Sequence, residues 1–201
     1  MKMTAYLIVG IIFILVSGMF SACQSKNQPI RKLTDASEQE RATEQQKQPD
    51  NPYDGLRAMA LAVTSDQLGL EQFGDKNKVY GIIMDWNLGE GIATVAAYGT
   101  GDASLYLSSG GGIIGGGQHQ SVKQAVLSYI KLGQNFLNTA TRTEETPLPG
   151  KNCVRFYFLT NNGTFYAQES MSNIESKHSD RLKLFEEANK VLTELRAVSS
   201  K

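Results

Sequence analysis

The segment Gly110-Gly111-Gly112-Ile113-Ile114-Gly115-Gly116-Gly117 is the one local anomaly of the chain: six of its eight residues are glycine. Glycine at that density costs backbone entropy on folding. It is kept where φ must be positive or where the backbone must approach something closely. The string Gly110-x-Gly112-x-x-Gly115 matches a dinucleotide fingerprint, but no Asp or Glu occurs from Ala103 to Thr143, so the acid that would hold a ribose is missing. Gln118 and His119 stand where a P-loop needs Lys and Ser or Thr. A simpler chemistry survives, because backbone N–H groups beside the start of a helix can hold an anion or a carboxylate. Lys123, Lys131 and Arg142, with no acid among them, set the local field to the right sign. The candidate ligand- or partner-binding residues are therefore Gly110, Gly111, Gly112, Ile113, Ile114, Gly115, Gly116, Gly117 and His119. In the competing reading the glycines only fold the loop against the sheet, with Ile113 and Ile114 in the core.

Other reactive side chains are sparse. Ser108 and Ser109 precede the loop and His119 follows it, yet no G-x-S-x-G elbow is present, and the acid of a triad would have to come from elsewhere, such as Asp85. Asp85 beside Trp86 reads more simply as a hydrogen-bonded residue at a strand end. Cys153 opens a strand with no C-x-x-C partner and no evident base, which suits a buried inert thiol. His119 and His178 are the only histidines and lack the paired spacing of a zinc site, so no metal or cofactor is expected. Twenty Lys+Arg balance twenty Asp+Glu, and a chain without net charge has no field to hold nucleic acid.

The elements that would position these residues follow from periodicity. Asp54 can cap a helix with Leu56, Met59, Ala60 and Val63 on one face and a new start at Ser65 leading to Leu68 and Leu70. Val79–Trp86 is apolar on both alternating faces and reads as a central strand, followed by strands at Ile92–Tyr98 and Ala103–Ser108. After the glycine loop, Val122, Ala125, Val126, Tyr129, Ile130, Phe136 and Leu137 mark the apolar stripe of a long helix. Cys153–Thr160 and Thr164–Glu169 form a hairpin about Asn162-Gly163. A last helix starts near Ser179 and points Leu184, Phe185, Ala188, Val191, Leu192 and Leu195 at the core. The expectation is an α+β domain over residues 52–201, with a mostly antiparallel five-stranded sheet and three packed helices.

The order α-β-β-β-α-β-β-α resembles the profilin-like and roadblock-like folds. The stretches Tyr80–Trp86 and Ser108–Gly117 resemble an uncharacterised bacterial family. Roadblock-like domains generally bind partners, often as homodimers, and are not enzymes, so the resemblance implies an interaction module. It leaves open a small-molecule sensor domain.

Residues 1–22 carry the address. Lys2 precedes the apolar run Ala5–Val16, as in a secretory signal. Phe20-Ser21-Ala22-Cys23 resembles the lipobox of bacterial lipoprotein precursors, with Phe20 where that family usually has Leu. The resemblance implies lipid attachment at Cys23. In a Gram-negative cell, Gln24 after the cysteine implies an outer-membrane protein facing the periplasm. An uncleaved anchor is the other reading, although Lys26, Arg31 and Lys32 beyond the apolar run outnumber Lys2 before it, the wrong asymmetry for exporting the C-terminus. From Gln24 to Asn51 only Ile30, Leu33, Ala36 and Ala42 are apolar. Such a stretch cannot bury enough surface to order itself and reads as a tether, residues 23–51, with a reach of about 30 Å.

Overall fold

The computed structural model describes residues 51–70 and 76–200, which fall within one compact unit, Lys47–Lys201. The signal, Cys23 and the tether up to Asp50 lie outside the described residues.

Helix α1 (Pro52–Ala62) is capped by Asn51, whose side chain accepts from the Tyr53 N–H, and Pro52 pre-sets its first turn. Asp54, the expected cap, sits one turn in. The buried stripe is also rotated from the expected one. Tyr53, Arg57 and Ala60 face the sheet while Met59 is 62% exposed, because the two long side chains reach polar partners that an aliphatic stripe could not use. The expected restart at Ser65 makes no helix. It closes as a turn through Leu68 N to Ser65 O at 3.2 Å, with Gly69 at φ 64°.

The sheet has seven strands among the described residues, not five: β1 (Val79–Asn87), β2 (Ile92–Tyr98), β3 (Ala103–Leu107), β4 (Gly112–Ile113), β5 (Thr141–Thr143), β6 (Cys153–Thr160) and β7 (Gly163–Ser170). Their spatial order is β4-β3-β2-β1-β6-β7-β5, with every neighbouring pair antiparallel. The two additions, β4 and β5, are the edges. They are two and three residues long, too short to show the alternation that marks a strand. Four α-helices are described where three were expected: α1, α2 (Gln120–Gly133, continued by a 3₁₀ segment over Gln134–Thr139), α3 (Met171–Glu175) and α4 (Leu182–Ser199). The unforeseen α3 is a five-residue turn capped by Ser170.

Both faces of the sheet are covered, which explains the unbroken apolar run of β1. On one face Ile82, Met84, Val95 and Phe156 pack with Val122 and Val126 of α2 and Leu184 and Leu195 of α4. On the other, Tyr80, Ile83, Tyr98, Tyr157 and Leu159 pack with Tyr53 and Ala60 of α1. A register shift between Val79 and Gly81 lets Val79 and Ile82 face the same core.

Candidate functional site

The glycine segment is a hairpin that turns the chain back onto the sheet. After β3, Gly110 and Gly111 adopt φ values of 98° and 81°, a region closed to most side chains. Bonds from Gly110 N to Leu107 O (2.9 Å) and from Leu107 N to Gly111 O (3.1 Å) close the turn. The chain then pairs with β3 as β4, Ile113 opposite Leu105 and Gly112 opposite Tyr106. Strand alternation separates the two isoleucines. Ile113 packs against the core shared with α2 and α4, whereas Ile114, just past β4, is 69% exposed.

Gly115, past β4, likewise has φ 76° with open space around it, and its N–H reaches Ser104 Oγ at 3.4 Å. Gly112, Gly116 and Gly117 serve a different need. A Cβ at Gly112 would run into the Leu105 carbonyl oxygen, one at Gly116 into Leu195, and one at Gly117 would lie 2.8 Å from Asp102 Oδ1. That carboxylate accepts from Gly117 N (2.7 Å) and from Ala103 N (3.0 Å). The anion to which the sequence points is thus supplied internally, by an acid one residue before the acid-free stretch. His119 is exposed ahead of α2, and its side chain makes no capping bond.

Between this hairpin and α1 lies a cleft of about 220 Å³. Pro52, Tyr53 and Leu56 form one wall and Tyr106 and Leu107 of β3 the other, with Gly110, Gly111, Gly112 and Ile114 at the rim. No charged side chain lines it. Asn51 latches its two sides, donating from Nδ2 to Ser108 O (2.8 Å) while Oδ1 holds the Tyr53 N–H (3.2 Å). Of the nine candidate residues, Gly110, Gly111, Gly112 and Ile114 line the cleft. Ile113, Gly116 and Gly117 instead hold the hairpin against the rest of the domain.

Sequence reasoning missed the polar row beneath α1. Register places Gly112, Tyr106, Thr94, Asp85, Arg155 and Gln168 side by side across six strands. Asp85 is fully buried, within β1 and not at its end. Its Oδ2 accepts from Arg57 Nε (3.0 Å) and Nη2 (2.6 Å), and its Oδ1 from Thr94 Oγ1 (2.6 Å). Thr94 Oγ1 also bonds Tyr53 Oη at 2.8 Å. Burial works to lower the Arg57 pKa, but the hydrogen bonds and charge of Asp85 raise it, so the pair is ionic. Burial pushes the Tyr53 and Tyr157 phenols up. The segment between β5 and β6 is pinned to this row by its carbonyls: Thr146 O accepts from Arg57 (2.8 Å), and Pro147 O from Arg155 (2.8 Å) and from the Tyr157 hydroxyl.

Ser108 Oγ accepts from Ile92 N (2.8 Å), and no imidazole or carboxylate bonds Ser108 or Ser109 among the described residues. The triad geometry is therefore not assembled. Cys153 is a free, half-buried thiol at the start of β6. Among the described residues no group of three His, Cys, Asp or Glu side chains could hold a metal ion, and no helix is long and apolar enough to cross a membrane. No family model, curated protein or solved structure matches the chain.

Proposed function

We propose that this chain is a lipid-anchored, non-catalytic binding module of the cell envelope that contacts its partner through the β3–β4 hairpin. The observation that carries the reading is Ile114. A large aliphatic side chain is held in water just past β4, before Gly115 at φ 76°, beside an apolar cleft that it helps to line. The companion residue Ile113 satisfies the packing need, so packing does not account for a second isoleucine.

Lipid attachment at Cys23 rests on Ser21-Ala22-Cys23, and the tether of residues 23–51 would join the domain at Asn51, on the rim of the cleft. The α-β-β-β-α-β-β-α backbone, extended by two edge strands and the short α3, supports kinship with the profilin-like or roadblock-like folds, and roadblock-like domains generally bind partners, often as homodimers. A small-molecule sensor is the second reading, and the cleft is the feature that favours it.

The contact reading is tested in cells by placing a photo-crosslinking amino acid at position 114 and, as a control, at the exposed Ala197 of α4. A discrete adduct from position 114 that is absent from 197 and is abolished by Leu56→Asp supports the hairpin as the contact surface. Identical adduct patterns at the two positions would refute it.

A further inference from the structure

Residues 144–150, which join β5 to β6, are pinned to the polar row without forming a helix or a strand. Over 144–149 they make no backbone–backbone hydrogen bond among the described residues. Their anchors are side chains of the domain that donate to their carbonyls. Arg57 Nη2 of α1 reaches Thr146 O (2.8 Å), Arg155 Nη1 (2.8 Å) and the Tyr157 hydroxyl of β6 reach Pro147 O, and Asn87 Nδ2 at the end of β1 reaches Pro149 O (3.0 Å). The segment's own side chains contribute little: Pro149 is buried, whereas Glu144, Glu145, Pro147 and Leu148 are exposed. Attachment through carbonyls does not read side chains, since every residue carries that group. Pro147 and Pro149 add a selective feature, because neither brings an N–H to a site built of donors.

From this we infer that residues 144–150 are the built-in occupant of a peptide-binding site, and that an extended partner segment, with prolines spaced as Pro147 and Pro149 are, takes the same donors by exchange. This contact goes beyond the hairpin and shares no residue with it. Exchange follows from burial. Tyr157 is fully buried and Arg57 is 9% exposed, so a segment that left without a replacement would strand their donors. The donors also have supports other than the segment. Arg57 is held by Asp85 and lies over the Tyr157 ring at 5.7 Å, and Arg155 is held by Gln168 and lies over the Tyr166 ring at 5.3 Å. They are thus set before an incoming carbonyl arrives, which lowers the cost of binding. Extended geometry follows from proline, which fixes φ and orders the incoming chain in advance. A cleft of about 180 Å³ beside Pro147, walled by Arg155, Tyr157 and Tyr166, gives that chain a place to enter.

The probe is the capped, fluorescently labelled peptide Thr-Pro-Leu-Pro-Gly, the sequence of residues 146–150. In the parent the attached segment competes with it at high effective concentration. Pro147→Gly combined with Leu148→Gly loosens that segment at two exposed positions and leaves the donors in place. Fluorescence anisotropy should show the loosened full chain binding the probe about tenfold more tightly than the parent, or better. Thr-Ala-Leu-Ala-Gly should bind the loosened chain more weakly. Adding Tyr157→Phe should weaken the probe by about threefold to tenfold, the usual worth of one hydrogen bond. Equal affinity in the parent and loosened chains, for the two peptides, or with and without Tyr157→Phe overturns the inference. Should the loosened chain lack cooperative unfolding, the parent decides: excess unlabelled probe should speed cleavage after the exposed Glu144 and Glu145 by a glutamate-specific protease, and an unchanged rate overturns the inference. The adduct at position 114 is read separately, so the hairpin contact stands or falls on its own.

Discussion

Ile113 and Ile114 are adjacent in sequence and opposite in environment, and the contrast makes the hairpin testable at the residue scale. Ile113→Ser removes apolar volume from the core beneath α4 and places a hydroxyl there, so it should cost about 2–4 kcal/mol. Ile114→Ser alters a side chain already in water and should stay within about 0.5 kcal/mol of the parent. Chemical denaturation of the two variants measures both, and equal losses would put Ile114 in the core as well. The sequence reveals that this segment is unusual, since six glycines in eight residues are visible without a structure. It does not reveal which glycines answer to φ and which to close approach. That division depends on Leu105, Leu195 and Asp102, which reach the loop through the fold. The anion-binding expectation failed to anticipate Asp102 for the same reason: a carboxylate fifteen residues from Gly117 can sit on its N–H only once β3 and β4 have paired.

At the scale of elements, the long strands β1, β2, β3, β6 and β7 and the helices α2 and α4 are legible because each spans enough residues to display its period. The edges β4 and β5 and the turn α3 are too short for that. Helix α1 is legible as a helix but not as to its buried face, since Arg57 reads as a solvent-facing residue until Asp85 is placed beneath it. Asp85 is similarly hidden by the apolar run around it. The pair ties α1, and hence one wall of the cleft, to β1. Asp85→Leu would leave the Arg57 guanidinium buried without its counter-charge and should cost about 3–5 kcal/mol, whereas Arg57→Met combined with Asp85→Leu should cost clearly less. Unfolding free energies for the two singles and the double decide this, and additive losses would mean that the two side chains do not act as a pair.

On the scale of the whole molecule, buried tyrosines on both faces of the sheet set a pH limit. Burial raises the phenol pKa values of Tyr53, Tyr80, Tyr98, Tyr129 and Tyr157 above the ordinary tyrosine value. Below about pH 10 both folded and unfolded chains keep these protons and the groups contribute no pH dependence. Above it the unfolded chain ionises first and binds fewer protons than the native one, so stability must fall as pH rises. The denaturant midpoint should therefore drop as pH rises above about 10, and a flat profile there would contradict the burial of these phenols. The central claim, that the exposed Ile114 beside the β3–β4 hairpin is covered by a partner where the protein works, is tested most directly by thiol footprinting. In a Cys153→Ser background, Ile114→Cys and Ala197→Cys are exposed to a water-soluble maleimide in intact cells and in the purified full chain. The account predicts that position 114 reacts markedly more slowly in cells than in the purified protein while position 197 reacts alike in both. Equal reactivity of position 114 in the two settings would contradict it.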